Sequence, residues 1–474
     1  QPIPVWGWGR PGEKITVSLD GLTMETVALS TGRWQITLPP RPASSTPARL
    51  IVKGGPSGEV AINDLLVGEV WLCSGQSNME MWLQHTANAD AEIAAADYAS
   101  IRFFDTVHTV GETPAADVDG KWVHCSPQSA PTLSATAYYF GRELQRRLGV
   151  PIGLVCATWG GTPVQSWMSE RALLSDPAFF STYEQWGRTW AAYPRLKLVF
   201  DRDVEAWKAR QMRAAGTGKA FDEPPPAAPP GPGHRFTPAG LFNGMIRPLM
   251  PCARRGVIWY QGEDNANDPE HYSALFAAMI RDWRAQWGGG DFPFLFVQLA
   301  NYKGSPASPR AWARLREAQA QALFLPNTGM AVAIDIGERE DIHPRNKLEV
   351  GRRLALRALA DVYGREVIAD GPAMAKMEST AGTLTVSFIH AEGGLEVRGE
   401  RATGFEIAGT DGEFFTAEAV VESNQVRLRS SRVATPVAVR YAWSNAPEAN
   451  LYNRAGLPAA PFRTDRDPPP DPIR

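Results

Sequence analysis

The sequence lacks the features that mark membrane proteins and nucleic-acid-binding proteins. No apolar run approaches the roughly 20 residues that a membrane-spanning helix needs. No basic run or stripe is present, and the net charge of -3 over 474 residues predicts no particular charged partner. We therefore expect neither a membrane nor a nucleic acid as partner.

Cysteine is also scarce, with only four residues that lie far apart: Cys73, Cys125, Cys156 and Cys252. No CxxC or CxxxH pattern occurs, and three of the four have strand-like or apolar neighbours. This distribution favours buried free thiols over a disulfide framework. We expect no structural zinc, no other metal and no cofactor.

The composition, 44% hydrophobic and 21% charged, is that of a soluble globular protein, and the length predicts two to four domains. Residues 1–64 and 372–465 consist of short β-rich runs between Gly, Pro and Ser clusters. A β-sandwich of fewer than about 60 residues is hard to close. The two ends are therefore expected to build one β-sandwich domain together, or two small adjacent ones, with 466–474 as a tail.

Residues 65–371 alternate strand-like apolar runs with helical patterns, which predicts an α/β domain with a doubly wound parallel sheet. Ligands bind such sheets beyond the carboxyl ends of the strands. The predicted strands lie in 65–73, 150–159, 255–261, 292–300 and 329–337, and the predicted helices are 137–148, 271–287, 311–325 and 345–363.

A proline-rich insertion at 221–234 cannot form helix or interior strand and is predicted to be an exposed loop. The next stretch, HRFTPAGLFNGMIRPL (234–249), mixes Phe, Asn and Gly. We interpret it as a surface loop near the functional site or as a simple connector.

Ser77 follows the apolar run 65–73, in the small polar group SGQSN. A serine on the turn that leaves a buried strand can begin a helix, where free N–H groups stabilise an oxyanion. Met79 occupies the last position of a GxSxG pattern, which disfavours the common α/β-hydrolase elbow. Ser77 is a candidate nucleophile, with a plain turn or N-cap as the alternative.

Three other predicted strands also end in polar segments, at 159–162, 261–265 and 340–344. Acyl transfer by serine needs a base, an acid that orients the base, and donors for the oxyanion. Candidates for these roles are His343 beside two carboxylates, the backbone of Gly160 and Gly161, and the side-chain amides of Gln261 and Asn265. For each of these residues the alternative is an ordinary structural role on the surface, in a turn or as a loop cap.

Four motifs in this order resemble those of SGNH (GDSL-type) hydrolases, in particular the sialate O-acetylesterase-like carbohydrate esterases. They are GQSN (75–78), WGGT (159–162), WYQGE (259–263) and DIHPRNK (341–347). The resemblance spans nearly the whole chain and includes PAGLFNGMI (238–246). It implies a flavodoxin-like, doubly wound SGNH fold and an esterase that needs no metal.

The resemblance also implies roles for individual residues. Ser77 would be the nucleophile and would donate its own N–H to the oxyanion, and His343 would be the general base. The second donor would be Gly161, with Gly160 as the alternative. The third would be Gln261, favoured over Asn265.

The sequence offers three candidates for the acid that orients His343. The family generally has Asp three residues before the His, but Glu340 stands there in this chain. We favour Asp341, because DIHP is common in this branch, and Glu340 and Asp335 remain rivals. A second departure is Asp264, which stands where the family often has serine.

The leading hypothesis is a serine esterase that removes O-acetyl groups from a carbohydrate, and the alternative is a carbohydrate-binding protein with a relic esterase core. The 16 tryptophans favour a sugar partner, although core packing also explains them. Neutral plant hemicellulose is favoured over sialate esters, which would call for an arginine such as Arg235 or Arg345. The resemblance implies a periplasmic or secreted protein, although the chain opens on strand-like PIPVWGWG without a signal peptide.

Overall fold

The computed structural model describes residues 1–304, 308–380 and 382–465, so the tail predicted at 466–474 lies outside the described residues. The N-terminal segment contains the strands β1 (Ile3–Trp8), β2 (Lys14–Leu19), β3 (Leu22–Val27), β4 (Arg33–Leu38), β5 (Ser44–Gly54) and β6 (Gly58–Val67). β1 pairs with β4, and the others form an antiparallel sheet in the order β3-β2-β5-β6. Alternate residues of β2 are buried, as expected when one face of a sheet covers a core.

The central sheet has seven strands: β7 (Glu69–Gly75), β8 (Tyr98–Thr106), β9 (Gly120–Cys125), β10 (Ile152–Thr158), β11 (Gly256–Tyr260), β12 (Phe294–Gln298) and β13 (Thr328–Val332). Their order is β13-β12-β11-β7-β10-β8-β9, and only β9 runs antiparallel to its neighbour. β11 and β12 are buried along their whole length, which explains their continuous apolar sequence. The five predicted strands are confirmed, whereas β8 and β9 were not predicted.

The α-helices are α1 (Ser77–Glu80), α2 (Ala89–Ala94), α3 (Ala135–Leu148), α4 (Glu170–Leu173), α5 (Phe180–Gly216), α6 (Pro269–Trp287), α7 (Ala311–Ala320) and α8 (Lys347–Asp361). Short 3₁₀ turns occur at Leu83–His85, Ala130–Thr132, Val164–Trp167, Pro177–Phe179, Arg247–Leu249, Glu263–Asn265 and Gln321–Phe324. The four predicted helices match α3, α6, α7 and α8. α5 was not predicted, because it buries no residue and so shows no strong apolar face.

The carboxyl ends of the parallel strands meet at one edge of the sheet. β7 lies in the middle, and the chain next adds β8 and β10 on one side and β11 to β13 on the other. Ligand sites lie where the strand order changes direction in this way. Ser77, Gly161, Asp264 and His343 all follow strands that end at this edge.

The C-terminal strands are β14 (Ala373–Thr380), β15 (Thr383–Ile389), β16 (Leu395–Val397), β17 (Phe405–Ala408), β18 (Phe414–Thr416), β19 (Glu418–Glu422), β20 (Gln425–Arg429), β21 (Ala438–Tyr441), β22 (Leu451–Asn453) and β23 (Phe462–Arg463). They form three antiparallel sheets, β14-β15-β20-β19, β16-β22 and β18-β17-β21-β23. Their core includes Ile334, which lies just beyond β13, and therefore continues from the central domain.

Two expectations from the sequence are wrong. The two ends do not build one β-sandwich, because no described strand of one pairs with the other and each packs around its own apolar core. The segment that follows the proline-rich insertion is not a surface loop, since its middle forms a buried π-helical turn at Phe242–Ile246. The mixed α/β class itself is confirmed.

Candidate active site

Ser77 is placed by a close approach of two neighbouring strands. β7 ends at Gly75, whose φ is +137°, and a Cβ there would lie 2.1 Å from the carbonyl oxygen of Tyr260 at the end of β11. Only glycine permits this contact. Gln76 then precedes α1, so that Ser77 is the first residue of the helix and its N–H has no partner among the described residues.

His343 lies directly against Ser77. Its Nε2 is 2.9 Å from the Ser77 Oγ, a hydrogen-bond distance. Burial lowers the pKa of His343, and the positive charge of Lys347 lowers it further, whereas Asp341 raises it. The ring is therefore neutral at neutral pH, and Nε2 can accept the serine proton.

Asp341 is the nearest carboxylate to His343, but it does not hold the ring directly. Its Oδ1 accepts the backbone N–H of His343 at 2.8 Å and lies 3.8 Å from the ring Nδ1. The rivals are placed elsewhere: the exposed Glu340 pairs with Lys303, and Asp335 forms a buried pair with Arg353. Of the three predicted carboxylates, only Asp341 lies close to His343.

The two glycines of the WGGT motif have different partners. The Gly160 N–H donates to Oε2 of Glu80 at 2.6 Å, which occupies this hydrogen. The Gly161 N–H has no partner among the described residues, and its φ of +60° lies in the left-handed region that glycine favours. Gly161, and not Gly160, thus has a hydrogen to offer a ligand.

Gln261, predicted as the third donor, is sequestered in the interior. Its Nε2 donates both hydrogens, one to the carbonyl of Thr162 at 3.1 Å and one to Oδ1 of Asn265 at 2.7 Å. Its Oε1 accepts from the hydroxyl of Tyr272. The prediction for Gln261 is wrong, because no hydrogen of its amide is left for an oxyanion. Asn265 is also buried, where its own amide donates to Gln165.

Gln76 is a better placed amide that the sequence reasoning passed over. Its Oε1 accepts the N–H groups of Gly262 at 3.1 Å and Asp264 at 3.3 Å, which turns Nε2 away from that loop. Nε2 has no partner among the described residues and is not sealed from solvent. The only signal in the sequence was its place immediately before Ser77.

These groups surround a pocket of about 400 Å³ at the carboxyl edge of the sheet. Arg235 and Asp264 bring opposite charges to it without an ion pair between them, and the Arg235 Nε donates to the carbonyl of Gly161 at 3.0 Å. Arg345, the other arginine considered, instead contacts the carbonyls of His85 and Thr86. The lining residues are Gln76, Ser77, Gly160, Gly161, Arg235, Glu263, Asp264, Ile342 and His343.

Within the described ranges, no group of three or more His, Cys, Asp or Glu side chains could hold a metal ion. All four cysteines are free thiols, three of them buried. In the same part of the chain, no helix has the length and apolar character to cross a membrane.

Comparisons with known proteins identify carbohydrate esterases as relatives of this chain. A model of the carbohydrate esterases described as sialic acid-specific acetylesterases matches residues 235–360. The rat sialate O-acetylesterase is 32% identical over an alignment of 521 positions that covers 97% of this chain and 90% of the rat protein. The human sialate O-acetylesterase is 30% identical, with 97% and 88% covered. A crystal structure of a carbohydrate acetylesterase from Xanthomonas citri is 39% identical, has a TM-score of 0.81, and covers 98% of this chain and 96% of that chain.

The mixed α/β fold, the pocket around Ser77 and these relatives together define a carboxylic ester hydrolase. The chain belongs to the family of carbohydrate esterases described as sialic acid-specific acetylesterases. The resemblance of the four sequence motifs to the sialate O-acetylesterase-like carbohydrate esterases is thereby confirmed.

Proposed function

We propose that the chain removes O-acetyl groups from a carbohydrate through an acyl-enzyme intermediate on Ser77. The Oγ attacks the acetyl carbonyl carbon while the Nε2 of His343 takes its proton. The tetrahedral intermediate collapses as His343 returns this proton to the sugar oxygen, which leaves as a hydroxyl. Water, deprotonated by His343, then attacks the carbonyl carbon of the acetyl-serine. The bond from this carbon to the Ser77 Oγ breaks as His343 returns the proton to the Oγ, and acetate leaves. The observation that carries the proposal is the 2.9 Å contact between Ser77 Oγ and His343 Nε2 inside the pocket.

Three donors would stabilise the oxyanion of each tetrahedral intermediate. We assign them to the N–H of Ser77, the N–H of Gly161 and the Nε2 of Gln76. All three lie at the pocket, and their hydrogens have no partner among the described residues. Removal of one such donor typically costs about 3 to 4 kcal/mol of transition-state stabilisation.

For the substrate we favour a neutral, acetylated plant-type hemicellulose. The charges of Arg235 and Asp264 offset each other at the pocket, and both side chains can hydrogen-bond to sugar hydroxyls. A pocket for a sugar acid would be expected to lack a carboxylate, since like charges repel. A polysaccharide substrate would further place the enzyme in the periplasm or outside the cell.

A sialate O-acetyl ester is the second candidate substrate, and one observation favours it. Arg235 supplies the guanidinium that binding of the sialate carboxylate calls for. The two substrates are separated by acetate release from acetylated xylan, xyloglucan, pectin and O-acetylated sialic acid at equal acetyl concentration. A preference for sialate of tenfold or more in kcat/KM would overturn the assignment to hemicellulose.

We also propose that the central domain is the doubly wound SGNH type. Support comes from the strand order, in which the chain proceeds from β7 first to one side and then to the other. The position of the candidate nucleophile directly after β7 is consistent with this fold.

The catalytic role is tested by Ser77→Ala. We expect this variant to keep the thermal unfolding temperature of the parent and to lose acetate release by at least 10³-fold. Ser45→Ala, a change of the same size at an exposed position outside the pocket, is the matched control. Activity of Ser77→Ala within tenfold of the parent would instead favour the carbohydrate-binding protein with a relic core.

A further inference from the structure

A chain of buried polar side chains runs beneath the pocket and joins three of the loops at the carboxyl edge. Asn78 follows Ser77, Glu263 follows β11, and Lys347 begins α8. The Asn78 Nδ2 donates to Glu263 Oε1 at 2.5 Å, and the Lys347 Nζ donates to Asn78 Oδ1 at 2.7 Å. All three side chains are buried, and Lys347 is 0% exposed.

This network also binds the backbone on both sides of His343. Asn78 Nδ2 donates to the carbonyl of Ile342 at 3.0 Å, and Lys347 Nζ donates to the carbonyl of Pro344 at 2.5 Å. The carbonyls of the residues immediately before and after the histidine are therefore held by the same pair of side chains. Since Asn78 is also the neighbour of Ser77, the network connects both members of the Ser77–His343 pair.

The usual device for orienting a catalytic histidine is weak here. In serine hydrolases a buried carboxylate accepts the Nδ1–H of the ring, whereas Asp341 lies 3.8 Å from Nδ1 and its side chain is 56% exposed. The position of Nε2 must then depend mainly on the backbone of the loop.

We propose that Glu263, Asn78 and Lys347 form a positioning network that fixes His343 against Ser77 by holding the carbonyls of Ile342 and Pro344. The inference rests on the proposed role of His343 as the general base. Lys347 and Asn78 act through the loop and touch neither the substrate nor the reacting atoms. Glu263 orients the Asn78 amide and supplies a negative charge near the buried Lys347.

Burial shifts the pKa values of the two titratable members of the network, Lys347 and Glu263. Burial lowers the pKa of Lys347 to about 7 although Glu263 opposes the shift, and burial raises the pKa of Glu263 to about 6. A buried charge without a partner is strongly destabilising, so that removal of either Lys347 or Glu263 leaves the other group uncompensated. The Glu263 Oε2 is buried and has no hydrogen-bond partner among the described residues. A buried carboxylate oxygen without a hydrogen bond costs stability.

The first test is Lys347→Met, which keeps the length of the side chain and removes its charge and its donors. We expect kcat to fall by about 10²-fold, the loss typical of a catalytic group misplaced by about 1 Å, and KM to stay within threefold. The apparent pKa of His343 should rise, since the positive charge that lowers it is gone. NMR titration of the His343 ring measures this pKa without any turnover.

Several charged groups face His343 and can contribute to the pKa of its ring. These groups are Asp341 in its own loop, Lys347 at the start of α8, Glu263 and Asp264 after β11, and Arg235 across the pocket. Only Lys347 is altered in the first test, so that a shift of the His343 pKa reports the loss of that one charge and any movement of the ring it allows.

Two further variants keep the test decisive if Lys347→Met unfolds. Glu263→Gln keeps an acceptor for Asn78 but removes the negative charge near Lys347, and we expect it to lower kcat less than Lys347→Met does. The double variant Lys347→Met with Glu263→Gln leaves no unpaired buried charge and should fold, yet still show the loss of kcat. Lys303→Met is the matched control, because Lys303 contacts the same loop through Glu340 but neither carbonyl, and it should keep kcat within twofold.

The outcomes are separable from those of the proposed function. Full activity of Ser77→Ala removes the esterase mechanism, whereas the His343 titration in Lys347→Met still reports whether Lys347 acts on the ring. The positioning role is overturned if the folded Lys347→Met or double variant keeps kcat within threefold. It is equally overturned if kcat falls no more than it does in Lys303→Met.

Discussion

Asp341→Asn tests how the carboxylate acts on His343. An asparagine at this position can still accept the backbone N–H of His343 through its Oδ1, so that the loop keeps its hydrogen bond of 2.8 Å. The change therefore removes the charge and little else. Any loss of kcat reports the interaction between this charge and the imidazolium that forms in the transition state.

The magnitude follows from the distance and the exposure. Two unit charges 3.8 Å apart attract by about 1 kcal/mol in water and by about 4 kcal/mol at an effective dielectric constant of about 20. The Asp341 side chain is more than half exposed, which places the value near the lower limit. We expect a loss of about 1 to 2 kcal/mol, or roughly 5-fold to 30-fold in kcat.

The assay is acetate release across pH, with kcat and KM determined separately. Asp341 raises the pKa of His343, so that its neutralisation lowers this pKa and moves the acidic limb of kcat/KM to lower pH. A loss of 10⁴-fold, as for a carboxylate bonded directly to Nδ1, would refute the reasoning. It would mean that Asp341 binds the ring once substrate is present.

The rival carboxylates provide controls for this prediction. Glu340→Gln removes an exposed charge that pairs with Lys303 and should leave kcat unchanged. Asp335→Asn breaks a buried pair with Arg353 and should destabilise the fold by about 3 to 5 kcal/mol. The folded fraction of that variant should keep the pH profile of the parent, because Asp335 does not contact His343.

Further predictions concern the donors, the base and the substrate. Gln76→Ala should lower kcat by about 10² to 10³-fold with little change in KM, whereas Gln261→Ala should mainly lower the unfolding temperature, as followed by calorimetry. The acidic limb of kcat/KM should lie below the usual His pKa of about 6.5. The reason is that burial lowers the pKa of His343, which must be neutral to act as the base. An acidic limb above about 6.5 would contradict this prediction. Asp264→Asn should raise kcat/KM for acidic acetylated sugars relative to neutral ones, and Arg235→Gln should have the opposite effect. Equal ratios in all variants would remove these two residues from substrate selection.

The pairing of Ser77 with His343 was predictable because it depends on simple topology. Both residues follow parallel strands, and the carboxyl ends of such strands meet at one edge whatever the details of packing. The five predicted strands were recognisable for a related reason, since strands buried on both faces form short continuous apolar runs. These parts of the fold follow from local patterns.

The parts that were missed depend on contacts between distant residues. Both ends of the chain consist of short β-rich runs between turn residues, and nothing in these runs shows that each end packs around its own core. α5 contains Pro194 and buries no side chain, so that no apolar stripe marks it. The register of β8 against β9 and β10 is likewise set by partners that no local pattern reveals.

Residue type alone does not identify which groups near Ser77 are the oxyanion donors. Gly160, Gly161, Gln261 and Gln76 all carry N–H groups near the nucleophile, and the motifs alone do not rank them. What distinguishes them is whether their N–H hydrogens already make hydrogen bonds in the structure. The Gly160 N–H donates to Glu80, and both hydrogens of the Gln261 amide donate to groups inside the protein. A donor whose hydrogen is bound in the ground state must break that bond before it can serve the oxyanion, which offsets most of its gain. Donors with no partner need no such exchange, which supports the proposed roles of Gly161, the predicted second donor, and of Gln76 in place of Gln261.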